Sequence, residues 1–287
     1  MFAGGRALRR SLLVAGLALW PGLAPAQPAT TAARPALPGI GSADPRRPVS
    51  LAETPWRALG RLQLELGPRC SGALIGPRTV LTAAHCLVAP RTATLVQPGT
   101  VHFLLGYELG RQAGHARGVA LQVAPGFRPA SRGPRGADWA LVTLDVALGT
   151  PDRILPLLAA PPAARAALML GGYQQDRPEV LLADADCHLL GVEPAGAGQA
   201  GALLLHDCAG TRGASGAPLL ARGTDGGWAV AGVVSGGAGA MGAGNAPVGV
   251  AVSVAPVAAA LRAGGAGSGP VSPLASGIAP DRGVGHP

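Results

Sequence analysis

Three short stretches carry side chains that could do covalent chemistry together. Ser215 lies in TRGASGAPLL, His85 in LTAAHC, and Asp138 heads DWALVTL. A serine hydroxyl is a weak nucleophile at neutral pH. It attacks a carbonyl only when a base takes its proton and a third group holds that base in the right tautomer. Imidazole suits the first role, and a buried carboxylate suits the second. Each stretch alone has a plainer explanation. A serine between small residues fits a turn, a histidine closing an apolar strand is more often structural, and an aspartate before a strand is an ordinary entry residue. Asp145, at the other end of the same strand, has only that plainer role.

Distant groups can meet only on a rigid scaffold, so the elements around them matter. WRALGRLQLEL alternates apolar and polar residues, the signature of a half-buried strand. CSGALIGPRTVLTAAHCL reads as a strand, a Gly76-Pro77 turn and a second strand that runs into small residues. TVHFLLG, GVALQVAP and DWALVTLD add short strands, and together these predict a closed or nearly closed antiparallel barrel over 51–148. TPDRILPLLAAPPAA is a Pro-rich crossing. Beyond it AALMLGGY, EVLLADADCHLLG, GALLLHDC, GAPLLA, GWAVAGVVSG and PVGVAVSV repeat the all-β rhythm without repeating the sequence. APVAAALRA predicts one short helix, which closes a second unit over 149–263. The Gly/Pro/Ser-rich stretch 264–287 is expected to be a disordered tail. The 45 glycines and 28 prolines in 287 residues supply turns for many short strands.

The N-terminus predicts export. Arg6, Arg9 and Arg10 precede an apolar run, SLLVAGLALW, and then the small residues Ala24 and Ala26. That is the pattern of a secretory signal, 1–26, cut after Ala26. The run is too short for a bilayer core of ~30 Å, so no stable membrane insertion is expected after cleavage. The protein is placed in the periplasm or outside the cell. Residues 27–50, rich in Pro, Ala and Arg, read as a poorly ordered lead-in or pro-segment. In an oxidising compartment an even cysteine count favours disulfides. Cys70, Cys86, Cys187 and Cys208 allow three connectivities, and proximity suggests Cys70–Cys86 with Cys187–Cys208. His85 and His188 adjoin cysteines, but no CxxC or HxxxH spacing appears, so no metal and no cofactor are expected. The net charge of +8 comes entirely from arginine, scattered through a chain with 3% aromatic residues. A nucleic-acid groove with stacking platforms therefore has little support.

Taken in order, Cys70-Ser71-Gly72, LTAAHC, DWALVTL and GASGAPLL strongly resemble the trypsin/chymotrypsin-like serine peptidases, from about Trp56 to Val254. The segment GIGSADPRRPV…TPWRALGRL is similar to the bacterial secreted glutamyl-endopeptidase-like branch. The resemblance implies two perpendicular six-stranded antiparallel β-barrels with an active site between them. It implies His85 as general base, Asp138 as orienting acid and Ser215 as nucleophile, with an oxyanion hole made by the N–H groups of Gly213 and Ser215. Peptide or protein substrates and a monomer follow from it. In animal members a new N-terminal amine pairs with an aspartate just before the serine. Here that residue is Ala214, so this activation route is excluded. By position, Ala209 falls at the base of the specificity pocket, with Thr211, Val233, Ser235, Gly236 and Gly237 around it. That set implies a small, uncharged pocket. Arg212 adds a nearby positive charge, and a role in the turn is as good an explanation for it. Ser235 is expected to order the acid or the substrate backbone, and His206 and Asp207 are expected to be structural. The alternative is a catalytically silent relative acting as a binding module. An esterase built on the α/β-hydrolase fold fails, because that fold runs serine, acid, histidine and alternates strands with helices.

Overall fold

The computed structural model describes Met1 and residues 37–41, 43–196, 201–241 and 247–265. Apart from Met1, the expected signal segment lies outside these residues, as does the tail beyond Gly265. The first barrel is built from β2 (Leu59–Leu64), β3 (Arg69–Gly76), β4 (Thr79–Thr82), β5 (Val101–Leu105), β6 (Gly114–Val123) and β7 (Ala140–Leu144). They close in the order β2-β3-β4-β7-β6-β5. The short strand β1 (Arg47–Pro48) belongs elsewhere, pairing Arg47 with Ala183 and Pro48 with Leu182.

The second barrel comprises β8 (Ala167–Gln174), β9 (Arg177–Glu193), β10 (Leu203–His206), β11 (Pro218–Arg222), β12 (Trp228–Met241) and β13 (Pro247–Ser253). Their order is β9-β10-β13-β12-β11-β8, and pairing of β8 with β9 closes the ring. The long β9 makes this possible, because its first half pairs with β8 and its last residues with β10. Helix α1 (Ala255–Gly265) follows, where a short helix was expected, and buries Val257 and Ala258. The expected all-β fold of two six-stranded antiparallel barrels with one short helix is what the chain adopts.

The barrels form because alternate residues point inward. In β5, Val101, Phe103 and Leu105 are buried while His102 and Leu104 keep partial exposure. Aromatic residues are scarce, so the core rests on Leu, Val and Ala, with Phe103 and Tyr173 among the largest wholly buried side chains. Each buried leucine or valine contributes roughly 1.5–3 kcal/mol. Two cross-links, Cys70–Cys86 and Cys187–Cys208, span 16 and 21 residues. Closing loops of that length in the unfolded chain is worth about 3 kcal/mol each.

The lead-in departs from expectation. Its last residues are ordered: β1 lies on β9, and the Arg46 side chain is wholly enclosed by protein. A Pro- and Arg-rich composition argues for disorder only when its charges stay in water, and Arg46 is instead enclosed, with the Asp176 carboxylate and the buried Gln174 amide as partners.

Candidate active site

The pairing of β4 with β7 brings the first two groups together. Thr82, the last residue of β4, lies opposite Ala140, the first of β7. His85 follows Thr82 by three residues, in a 3-10 turn over Ala84–Leu87, and Asp138 precedes Ala140 by two. Antiparallel register thus delivers both to one end of the barrel. The Cys70–Cys86 bond then ties the turn carrying His85 to β3.

Asp138 is buried and His85 half-buried. The backbone N–H of His85 donates to Asp138 Oδ1 at 2.8 Å, and its Nδ1 lies 2.7 Å from Oδ2. A carboxylate only accepts, so Nδ1 carries the proton and Nε2 keeps its lone pair. Nε2 also lies 3.8 Å from Cys86 Sγ, and as half of a disulfide that sulfur has no proton to give. The imidazole is therefore fixed at one nitrogen and free to accept at the other. Ser235, on β12 of the second barrel, also donates its hydroxyl to Asp138 Oδ2. That fits the expected ordering of the acid, and it links the carboxylate to both barrels.

Ser215 reaches this region through its backbone. The Ser71 N–H, on β3, donates to the Ser215 carbonyl at 2.9 Å. Gly216, with φ +80°, presses so closely on the end of β4 that a Cβ there would lie 2.2 Å from Thr82 Oγ1 and 2.3 Å from the Ser71 carbonyl. No side chain fits between Ser215 and the strand leading to His85. Ser215 is half-buried, and among the described residues its hydroxyl has no hydrogen-bond partner. The N–H groups of Gly213 and Ser215 likewise find no acceptor among the described residues. Both donors belong to half-exposed residues of the turn that carries Ser215, so both remain available to a bound acceptor. Gly213 makes this possible with φ +93°, in a position where a Cβ would strike the Tyr173 carbonyl at 2.5 Å.

Ser71, in the Cys70-Ser71-Gly72 motif, joins the two barrels beside Ser215. Its buried hydroxyl donates to the Gly213 carbonyl at 3.0 Å and accepts from the Tyr173 N–H at 2.8 Å. Its own carbonyl accepts from Thr82 Oγ1 at 2.8 Å. One side chain therefore holds the 213–215 turn against the first barrel.

The residues expected around a pocket divide. Ala209 is buried, its N–H bound to Asp184 Oδ2 at 2.8 Å, and Thr211 keeps little exposure. Among the described residues nothing lies within 4 Å of a side chain built at Gly236, and only the Val248 carbonyl comes near one built at Gly237. Val233 is different: it has no exposed surface and packs in the main core, where a pocket wall was expected. Strand β12 is covered on both sides there, so alternation could not tell an outer face from an inner one. Arg212 is exposed, and its carbonyl accepts the Gln175 N–H at 2.7 Å, which is a role in the turn. The sulfur atoms of Cys70 and Cys86 lie near His85, and those of Cys187 and Cys208 near Asp207, in groups compact enough to suggest ligation. Each pair is joined as a disulfide, which leaves no thiolate to bind a metal.

His206 and Asp207 point apart, as neighbours on a strand must. Asp207 is exposed and accepts the His188 N–H at 2.6 Å. His206 is buried against Gly249, and among the described residues neither ring nitrogen has a partner. Burial disfavours the imidazolium and pushes its pKa down from 6.5 to about 4. Because the folded value is the lower one, this neutral ring supports the fold fully above pH 6.5. The support fades as pH falls towards 4, reaching a deficit of about 3 kcal/mol. Thermal unfolding should show Tm dropping across that window, and His206→Leu should flatten the drop. An equally steep acid limb in the variant would assign it to other groups.

A family model for trypsin matches residues 46–261. No curated protein matches the chain. Among solved structures, a Glu endopeptidase in complex with MPD superposes with a TM-score of 0.63 at 17% identity, covering 79% of this chain and 98% of its own. Human heparin binding protein superposes at 0.59 and 19% identity, over 82% of this chain and all of its own (100%). At such identities the neighbours speak for the fold alone, whereas the family model spans most of the sequence. The chain belongs to the trypsin family.

Proposed function

We propose that this protein is an exported serine endopeptidase that cleaves peptide bonds through an acyl-enzyme on Ser215. The observation that carries the proposal is the 2.7 Å contact of His85 Nδ1 with the buried Asp138, which leaves Nε2 free to act as a base. In the first step Nε2 takes the Ser215 hydroxyl proton as Oγ bonds to the substrate carbonyl carbon. The carbonyl oxygen becomes an anion received by the N–H groups of Gly213 and Ser215. Asp138 stabilises the imidazolium by charge, without taking its proton. The imidazolium then protonates the departing amine, and the C–N bond breaks. Water, deprotonated by the same Nε2, attacks the acyl-enzyme and releases the acid. In the free protein the serine–histidine hydrogen bond is not yet made. Such contacts commonly tighten only once substrate is bound.

Export is supported by the two disulfides, which suit an oxidising compartment. It is also compatible with the described helices, none of which is long and apolar enough to cross a membrane. For the pocket we propose Ala209, Thr211, Gly236 and Gly237, which bring no charge to the substrate side chain. The test is cleavage of a mixed peptide library by the secreted protein, with product termini identified by mass spectrometry. New termini following small uncharged residues are expected. Cleavage dominated by arginine, lysine or glutamate before the cut would overturn the pocket assignment. An intact library in the presence of folded protein would favour a silent binding relative.

A further inference from the structure

Arg46 is the most enclosed cation among the described residues, with no side-chain exposure and 2% overall. Its planar fork is filled. Nε donates to Asp44 Oδ1 and Nη2 to Asp44 Oδ2, both at 2.9 Å. Nη2 also reaches Asp176 Oδ2 at 2.8 Å, and Nη1 reaches Asp176 Oδ1 at 3.0 Å and Gln174 Oε1 at 2.6 Å. A buried charge with every donor used specifies one geometry and tolerates no loose partner. The carboxyl of Asp44 is held below its ordinary range by the same guanidinium.

What this geometry fixes is the turn beside Ser215. Gln174 Oε1, already bound to Arg46, also accepts the Thr211 N–H at 2.8 Å. The next residue, Gln175, donates its N–H to the Arg212 carbonyl at 2.7 Å. Gly213 then lies flat on Tyr173 and Gln174. A second anchor comes from the same leading segment, where the Gly39 carbonyl accepts the Gly210 N–H at 3.1 Å. The 210–213 turn is thus pinned twice, from Gly39 and from Arg46, and Ala214 offers no carboxylate through which an N-terminal ammonium could do so.

We propose that Gly39 and residues 44–48 form a built-in brace for the oxyanion turn, with Arg46 as its positioning residue acting through Gln174. This rests on the peptidase function proposed above. It has a corollary for processing: the active chain must begin no later than Gly39, and a cut between Pro48 and Leu51 that released the brace would silence the protein rather than switch it on.

The test uses Arg46→Met, which keeps the aliphatic stem, Arg46→Lys, which keeps charge without the fork, and Gln174→Met, which leaves the leading segment untouched. Each is assayed well below its own Tm for kcat, KM and affinity for a peptide boronic acid, whose tetrahedral adduct needs the same donors. For the two Met variants, kcat and boronate affinity should both fall about 10- to 100-fold, with KM within about threefold, and the Lys variant should lie between them and wild type. Hydrogen exchange of the 209–216 amides should quicken at least tenfold in both Met variants, whether or not the wild type is active. Lowered Tm with unchanged kcat, or unchanged exchange in 209–216, would overturn the brace. An inactive wild type with the exchange effect present would overturn the peptidase function and leave Gly39 and residues 44–48 as a structural clamp on this turn.

Discussion

Ser215→Ala is expected to lower kcat on a good peptide substrate by about 10⁶-fold and leave KM almost unchanged. The loss is that large because no other described group is placed to replace the hydroxyl. The remaining acceleration would come from the Gly213 and Ser215 N–H groups and from substrate binding, neither of which the substitution removes. Stability should hardly change, since the hydroxyl has no hydrogen-bond partner among the described residues and the Ser215 contacts to Ser71 are made by its backbone. The check is steady-state kinetics beside a thermal melt. A fall in activity that tracked a fall in Tm would point to misfolding instead of a lost nucleophile.

Asp138→Asn should cost about 10⁴ in kcat. The carboxylate accepts three hydrogen bonds: from the His85 backbone, from His85 Nδ1 and from the Ser235 hydroxyl. An asparagine can accept at one atom only, and its NH₂ must then face a donor. If the amide oxygen stays with the His85 backbone N–H, the NH₂ meets Nδ1. The ring relieves that clash by moving its proton to Nε2, where a lone pair is needed to receive the Ser215 proton. The lesion is thus in the tautomer, with the nucleophile still present. It should appear as slow acylation with little change in KM. Ser235→Ala removes one donor and leaves the tautomer intact, so its effect should be far smaller. Equal losses in the two variants would contradict the division of roles between the backbone, Nδ1 and Ser235.

Much of the fold is legible in the amino-acid sequence. Strand alternation located the barrel strands, because a residue repeat of two shows directly in the sequence wherever one face is buried. LTAAHC and DWALVTL are paired by the family resemblance, and the β4–β7 register is what brings them to one end of the barrel. What stayed hidden depends on contacts across long separations. Arg46 reaches Gln174 over 128 positions, and nothing in a Pro- and Arg-rich leader distinguishes that arginine from the others in it. The work of Ser71 is hidden for a similar reason, since its hydroxyl meets Gly213 only once the two barrels pack. Val233 lies on a strand buried on both sides, where residue alternation does not show which side faces a pocket.

The central claim is that Ser215, activated by His85, is the nucleophile. Its most direct measurement is the mass of the folded, secreted protein after treatment with a fluorophosphonate, followed by mapping of the modified peptide. One adduct per chain is expected, on the peptide that contains Ser215, absent from Ser215→Ala and much slower to form in His85→Ala. No adduct on a folded sample, or an adduct that persists when Ser215 is alanine, would contradict it.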